Sequence, residues 1–194
     1  MQNKLIAITG GIGSGKSVAL SVLSESGFST LSSDAIVTEL YQKKEVKKLL
    51  KKMFPKAVKG VFNLTVDKKK IADVAFNDKK KHAQLTSAIT PLVMDEIIER
   101  AKTLAPPVFA EVPLLFECGF ENKFDGVIVI TRNIDRRIES VKKRSRLSSD
   151  EILSRMRRQV DYDSLDLSPY IVINNDGDME NFVSEVIAVA EKLK

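Results

Sequence analysis

A parallel α/β sandwich is the fold class this sequence predicts, and three observations predict it. Short apolar runs alternate with stretches of helical periodicity, as they do when a parallel sheet is covered on both faces. The first run, Leu5-Ile6-Ala7-Ile8, leads directly into the octet Gly10-Gly11-Ile12-Gly13-Ser14-Gly15-Lys16-Ser17 and then into a helical stretch. The run Gly126–Ile130 is almost continuously apolar, the mark of a central strand buried on both faces.

Taken in order, residues 4–9 read as the first strand, and Lys16–Glu25 as a helix stopped by Gly27, a natural left-handed residue after a helix end. Phe28–Leu31 is a short second strand leading into Ser32-Ser33-Asp34. From Ala35 to about Leu104 the pattern is helical, with interruptions at Pro55–Asn63 and at Thr90-Pro91. Pro91 fits the first position of a new helix capped by Thr90, because proline loses no hydrogen bond there. Val108–Val112 is a buried strand closed by Pro113, and Gly126–Ile130 is the next. Residues 134–145 are helical, and Ser148 with Glu151 forms a capping box for a further helix. Ile171–Ile173 is the last strand, and the final helix, from about Asp178, sets Phe182, Val186 and Ala190 on one face. The reading is a five-stranded parallel sheet in three layers, interrupted by a helical insertion at 35–104 and an arginine-rich helical pair at 132–162.

The octet fits G-x-x-x-x-G-K-[ST] between a strand and a helix, the context that gives this pattern meaning. Glycines without a Cβ let the backbone wrap closely and turn its N–H groups toward one point. That point lies at a helix N-terminus, where orphan N–H groups and the helix dipole favour an anion. Lys16 adds a positive charge for β- and γ-phosphates, and the Ser17 hydroxyl suits magnesium. Gly11, Gly13, Ser14, Gly15, Lys16, Ser17 and Val18 are therefore the expected cradle of a nucleoside triphosphate, with ATP and Mg2+ as the implied donor and ion. Ligands of such sheets sit at the carboxyl ends of the strands. Both the insertion and the arginine-rich pair begin there, placed to supply an acceptor site and a lid.

Composition narrows the partners. At 194 residues the chain suits one domain with a smaller subdomain. Cys118 is the single cysteine, which excludes intrachain disulfides and thiolate metal sites. No apolar stretch approaches a bilayer's thickness, and the amino terminus does not read as a signal peptide, so the expectation is a cytoplasmic protein without a membrane partner. The net charge of +5 admits anions. Lysines at 43–59 and 67–81 read as solvated helix faces, whereas eight of the nine arginines lie between Arg132 and Arg158. Arginine's planar fork grips phosphate in two places, which gives that cluster a purpose. Few aromatic residues interleave the basic stretches, which argues against single-stranded nucleic acid. Small-molecule substrates and a monomer or weak homo-oligomer are expected.

Phosphoryl transfer needs a positioned donor, neutralised phosphate charge and an aligned acceptor. Asp34, just past the second strand, fits a general base and fits a cap for a helix starting at Ala35 equally well. Glu111 ends an apolar strand, a costly place for a carboxylate unless it is paired or metal-linked, and a magnesium-bound water is its expected partner. Glu117 fits a functional contact or a lysine pair. Arg137, Arg144 and Arg155 would offset charge on the transferring group, while Arg157 and Arg158 read as solvated. The residues by themselves reach a kinase for a small hydroxyl acceptor, with another nucleoside or nucleotide kinase as the alternative. A switch protein is the rival from another class; it needs a water-orienting residue on a switch loop and guanine-reading groups, and the reading expects no N-K-x-D tetrad in this chain.

The ordered set Thr9–Ser17, Asp34, Thr90-Pro91-Leu92, Val112-Pro113-Leu114-Leu115-Phe116-Glu117, the spaced arginines with Gln159, and Ile173-Asn174-Asn175-Asp176-Gly177 closely resembles the dephospho-coenzyme A kinase family over essentially the whole chain. The resemblance implies a nucleotide-binding core (1–34, 105–131 and 163–194), a helical acceptor domain (35–104) and a lid (132–162). It implies ATP-dependent phosphorylation of the ribose 3′-hydroxyl of dephospho-coenzyme A. Carried over residue by residue, it implies catalytic roles for Lys16, Asp34 and Arg144, with Asn175 and Gly177 at the adenine and Arg144 also at ATP. It implies acceptor contacts at Asp34, Thr90, Pro113, Leu114, Leu115, Glu117, Arg137 and Arg155, with Ser17 on magnesium and Glu111 reaching it through water. The family usually has histidine where this chain has Thr90, and aspartate where it has Glu111.

Overall fold

The computed structural model of the protein describes residues 4–61, 63–145 and 147–194. In chain order its elements are β1 (Leu5–Thr9), α1 (Lys16–Glu25), β2 (Ser29–Ser32), α2 (Ser33–Leu40), α3 (Lys44–Met53), β3 (Val58–Lys59), β4 (Thr65–Val66), α4 (Lys68–Asn77), α5 (Lys79–Ala101), β5 (Val108–Glu111), β6 (Gly126–Thr131), α6 (Ile134–Arg144), α7 (Ser149–Met156), β7 (Ile171–Asn174) and α8 (Met179–Lys192). A short 3-10 turn, Glu121–Lys123, precedes β6. The chain divides into two compact units, one of Met1–Ser32 with Arg100–Lys194 and the other of Ser33–Glu99.

The first unit carries five parallel strands in the order β2-β5-β1-β6-β7. Every residue of β1 is buried, which suits the central strand of a sheet covered on both faces. Register sets the carboxyl ends side by side: Ile8 and Ser32 both lie opposite Glu111, Thr9 opposite Val129, and Thr131 opposite Asn174. The core gathers Ile6, Ile8, Leu23, Phe109, Ile130, Ile173, Phe182 and Val186. Phe28 meets Phe109 edge-on at 5.5 Å between centroids, the favoured aromatic geometry. α1 closes as the sequence predicts: Gly27 takes φ 84°, its N–H donates to Ser24 O, and Phe28 N–H donates to Leu23 O. Ser148 and Glu151 form the expected capping box on α7, and Asp178 caps α8.

The second unit departs from the sequence reading in two places. The interruption after Pro55 contains an antiparallel hairpin, with Val58 opposite Val66 and Lys59 opposite Thr65. The expected break at Thr90-Pro91 is absent, because α5 runs unbroken from Lys79 to Ala101 with Pro91 inside it. Proline in a helix interior removes one backbone bond and costs about 3 kcal/mol. The stripe Ile89, Val93, Ile97 and Ala101 is buried on both sides of it. Burial of aliphatic side chains at about 1.5–3 kcal/mol each outweighs the local penalty. Thr90 is accordingly a half-buried mid-helix residue and not a cap.

Candidate active site

The octet folds over the start of α1, at the carboxyl end of β1. Gly15 has φ 115°, and a Cβ there would run into Asn175 Nδ2, so both backbone and neighbour require glycine. Asn175 is 3% exposed; its Nδ2 donates to Ser14 O at 2.7 Å and its backbone N–H to Thr131 O at 2.9 Å. The side chain that the resemblance assigns to adenine thus has its amide nitrogen committed to shaping the loop. α1 starts with no side-chain cap, so the positive end of its dipole faces the loop. Lys16, 8% exposed, lays its Nζ across the turn and donates to Gly10 O at 2.8 Å and Gly11 O at 3.1 Å. Ser17 Oγ donates to Glu111 Oε1 at 3.0 Å, pairing the hydroxyl and carboxylate that the sequence assigns to magnesium. Ser14 Oγ is buried and makes no hydrogen bond among the described residues.

The arginine-rich segment closes over this loop from outside. Arg137, in α6, donates from Nε to Ile12 O at 3.0 Å, and Gln159 Oε1 accepts from Ile12 N–H at 2.6 Å. Burial pulls the Arg137 guanidinium below its ordinary value, while Asp163, Tyr162 and Asp161 push it back up. The hydroxyls of Tyr162 and Thr9 lie 3.2 Å apart. Burial pushes the Tyr162 phenol up to about 12, so the group is neutral at physiological pH. Glu117 Oε1 accepts from Val160 N–H at 2.9 Å, which ties the segment after α7 to the turn after β5. Arg136 donates to Asp176 O and Gly177 O, and Asp176 Oδ1 accepts from Asn133 N–H at 2.7 Å, fixing the loop after β7 against α6.

Gly11, Gly13, Ser14, Gly15, Lys16, Ser17, Glu111, Glu117, Arg137 and Asn175 therefore lie in one connected set. Val18 is exposed in the first turn of α1, and Gly177 is exposed after β7. Pro113 and Leu114 lie in the turn after β5, but Leu115 is fully buried, so its side chain anchors that turn in the core and presents no surface to an acceptor. Arg144 is exposed at the end of α6, and Arg155 is half-buried in α7. Arg146, of the same cluster, lies outside the described residues. Asp34, in the other unit, is an exposed residue inside the first turn of α2; the helix already begins at Ser33, which removes the reading of Asp34 as its cap. Sequence reasoning set no role for Gln159 or Tyr162, because their partners lie 147 and 153 residues away and no periodicity marks such contacts.

The expectation that the chain lacks an N-K-x-D tetrad is wrong. Asn122-Lys123-Phe124-Asp125 has the form N-K-x-D associated with guanine reading. It stands at the amino end of β6, where Asp125 Oδ2 accepts from Leu5 N–H at 2.8 Å and Asp125 N–H donates to Leu5 O. The strands are parallel, so this is the edge of the sheet opposite the octet, and the tetrad staples two strand starts together.

A parallel sheet, a phosphate-binding octet on its central strand and an arginine-rich helical pair over that octet define a P-loop kinase. A family model described as dephospho-CoA kinase matches residues 4–181. A dephospho-CoA kinase of Thermus thermophilus is 34% identical over 190 residues, covering 97% of this chain and 91% of that protein. A crystal structure of a protein from Thermus thermophilus superposes with TM-score 0.81 at 33% identity, covering 98% of each chain. Shikimate kinase from Bacteroides thetaiotaomicron, at 14% identity and TM-score 0.54 over 98% of each chain, shares the fold. The chain belongs to the dephospho-CoA kinase family, transferases of coenzyme A biosynthesis. Among the described residues no helix is long and apolar enough to cross a membrane.

Proposed function

We propose that this chain transfers the γ-phosphoryl group of ATP to the ribose 3′-hydroxyl of dephospho-coenzyme A. The bond from Pγ to the bridging oxygen of ADP breaks, the bond from the 3′-oxygen to Pγ forms, and the hydroxyl proton passes to Asp34. The octet amides at the start of α1 hold the β- and γ-phosphates, and Lys16 turns from its two loop carbonyls to the phosphate oxygens. Asp34 follows the carboxyl end of β2 by two residues, which suits a base at the strand ends. Arg144 and Arg155, on the lid, offset the charge that spreads over the transferring group.

Magnesium fits the pair Ser17 and Glu111: both offer hard oxygen atoms, and Mg2+ is held by one or two protein oxygens together with phosphates and water. Bound there, the ion neutralises charge on the β- and γ-phosphates. Glu111 also orients the Ser17 hydroxyl, and the strand on which it stands excludes water from behind the loop.

The observation that carries this reading is the Lys16, Ser17 and Glu111 constellation in a chain that matches the family over residues 4–181. The test is turnover of the purified chain with ATP and either dephospho-coenzyme A or a panel of nucleosides and nucleoside monophosphates. Asp34→Asn is expected to lower kcat by about 10²–10⁴-fold with a modest change in ATP affinity. Unchanged turnover removes Asp34 from the mechanism, and faster transfer to a nucleoside than to dephospho-coenzyme A overturns the acceptor.

A further inference from the structure

The peptide groups on either side of Ile12 are gripped by two side chains that come from outside the octet. Gln159 accepts the Ile12 N–H at 2.6 Å, and Arg137 donates from Nε to the Ile12 carbonyl at 3.0 Å. Ile12 is the third residue of the octet, ahead of the amides at the start of α1 that face a phosphate. Its N–H is turned outward to Gln159, so it does not serve the cradle. The grip is itself anchored: Glu117 holds the Val160 N–H, one residue past Gln159, and Tyr162 meets Thr9, one residue before the octet.

Gly11 adds an independent observation. Position 11 is one of the free positions of the motif, and Gly11 has no left-handed φ to explain it. A Cβ there would strike the Arg137 guanidinium, at Nη2 and at Cζ, so the arginine lies directly on this residue. Any side chain at position 11 would therefore push the guanidinium away from the carbonyl it holds.

We propose that Gln159 and Arg137 are positioning residues for nucleotide phosphate: together they fix the Ile12 peptide from both sides and so aim the octet's amides, which couples the phosphate cradle to the docking of the arginine-rich segment. This rests on the reading of the octet as a nucleotide site. It gives Arg137 a task on the donor side of the reaction, and it gives Gln159 a task without contact to the substrate. Loss of a buried acceptor leaves the Ile12 N–H unsatisfied and frees the loop, a change that a hydrogen bond's worth of free energy sets at about tenfold in affinity.

The experiment compares MgADP and AMP binding by calorimetry in the parent chain and in Gln159→Leu, which keeps the bulk and removes the acceptor. Because the clamp acts on the cradle of the outer phosphates, MgADP should weaken about tenfold and AMP by less than twofold, in a variant that still unfolds in one cooperative transition at a slightly lower melting temperature. Equal MgADP affinity in parent and variant overturns the proposal, as does an equal loss for both nucleotides, which signals a merely structural role. Failure of the parent itself to bind MgADP overturns the nucleotide reading beneath it. A double-mutant cycle of Gly11→Ala and Arg137→Ala gives a second route that does not depend on Gln159. Each single variant should weaken MgADP about 3–10-fold, and the pair no more than the worse single, since residues in contact are not additive. Fully additive losses overturn the contact.

Discussion

The unit Ser33–Glu99 holds 14 of the chain's 31 lysines and arginines against 9 of its 26 acids, whereas the remainder balances 17 against 17. All of the net charge of +5 therefore sits in the helical unit, and all 14 of its cations are lysines; the nine arginines belong to the unit that carries the sheet. The two units use positive charge in different ways. Around the octet four cations have short, directed partners: Lys16 on two carbonyls, Arg137 on Ile12, Arg136 on the loop after β7, Arg132 on Ser140 at 2.7 Å. In the helical unit Lys44, Lys48 and Lys52 stand in solvent on α3. A solvated ammonium gives a field, and a planar guanidinium gives a position. The comparison teaches that directed contacts of cations gather around the octet, whereas α3 of the helical unit presents solvated charge.

The largest expected effect breaks the precise half. Lys16→Ala should lower kcat by about 10³-fold, because a cation that turns from the loop carbonyls to the phosphates, as proposed, is worth several kcal/mol in the transition state. Single-turnover phosphoryl transfer measures it, and a loss below tenfold would place the charge elsewhere. A smaller effect is expected from the diffuse half. Replacing Lys44, Lys48 and Lys52 together by glutamate should raise KM for dephospho-coenzyme A about 3–10-fold at low salt, leave KM for ATP within twofold, and fade above 0.3 M salt as screening sets in. If KM for ATP moved as much, the field would belong to the whole molecule and the contrast would fail. The smallest change touches the backbone of α5. Pro91→Ala restores one helical hydrogen bond and relieves the ring, so the melting temperature should rise by about 2–6 °C in a thermal scan. A fall would mean that Pro91 supports packing beyond its local cost.

Much of the sheet-bearing unit was legible because its signals are local. Apolar runs mark β1, β5 and β6, the octet marks the turn, and Ser148 with Glu151 marks a helix start. The helical unit read less well at Thr90-Pro91, since a local penalty of one hydrogen bond was outweighed by a buried aliphatic stripe whose partners the sequence does not name. Within the candidate site, Lys16, Ser17 and Glu111 were legible as residue types in a pattern. Their company was not: Asn175 against Ser14, and Gln159 and Arg137 on Ile12, join residues 125 to 161 positions apart.

By itself, the order of residues determined the strand–octet–helix unit, the parallel sheet it belongs to and the chemistry of an anion cradle, because each follows from backbone sterics and side-chain period over a few neighbouring positions. Only the tertiary structure decided which side chains hold that cradle in shape, that α5 passes through its proline, and that Asn122–Asp125 lies at the far edge of the sheet. Those outcomes depend on buried hydrogen bonds and on packing between distant segments, and their free energies exist only once the chain has brought the partners together.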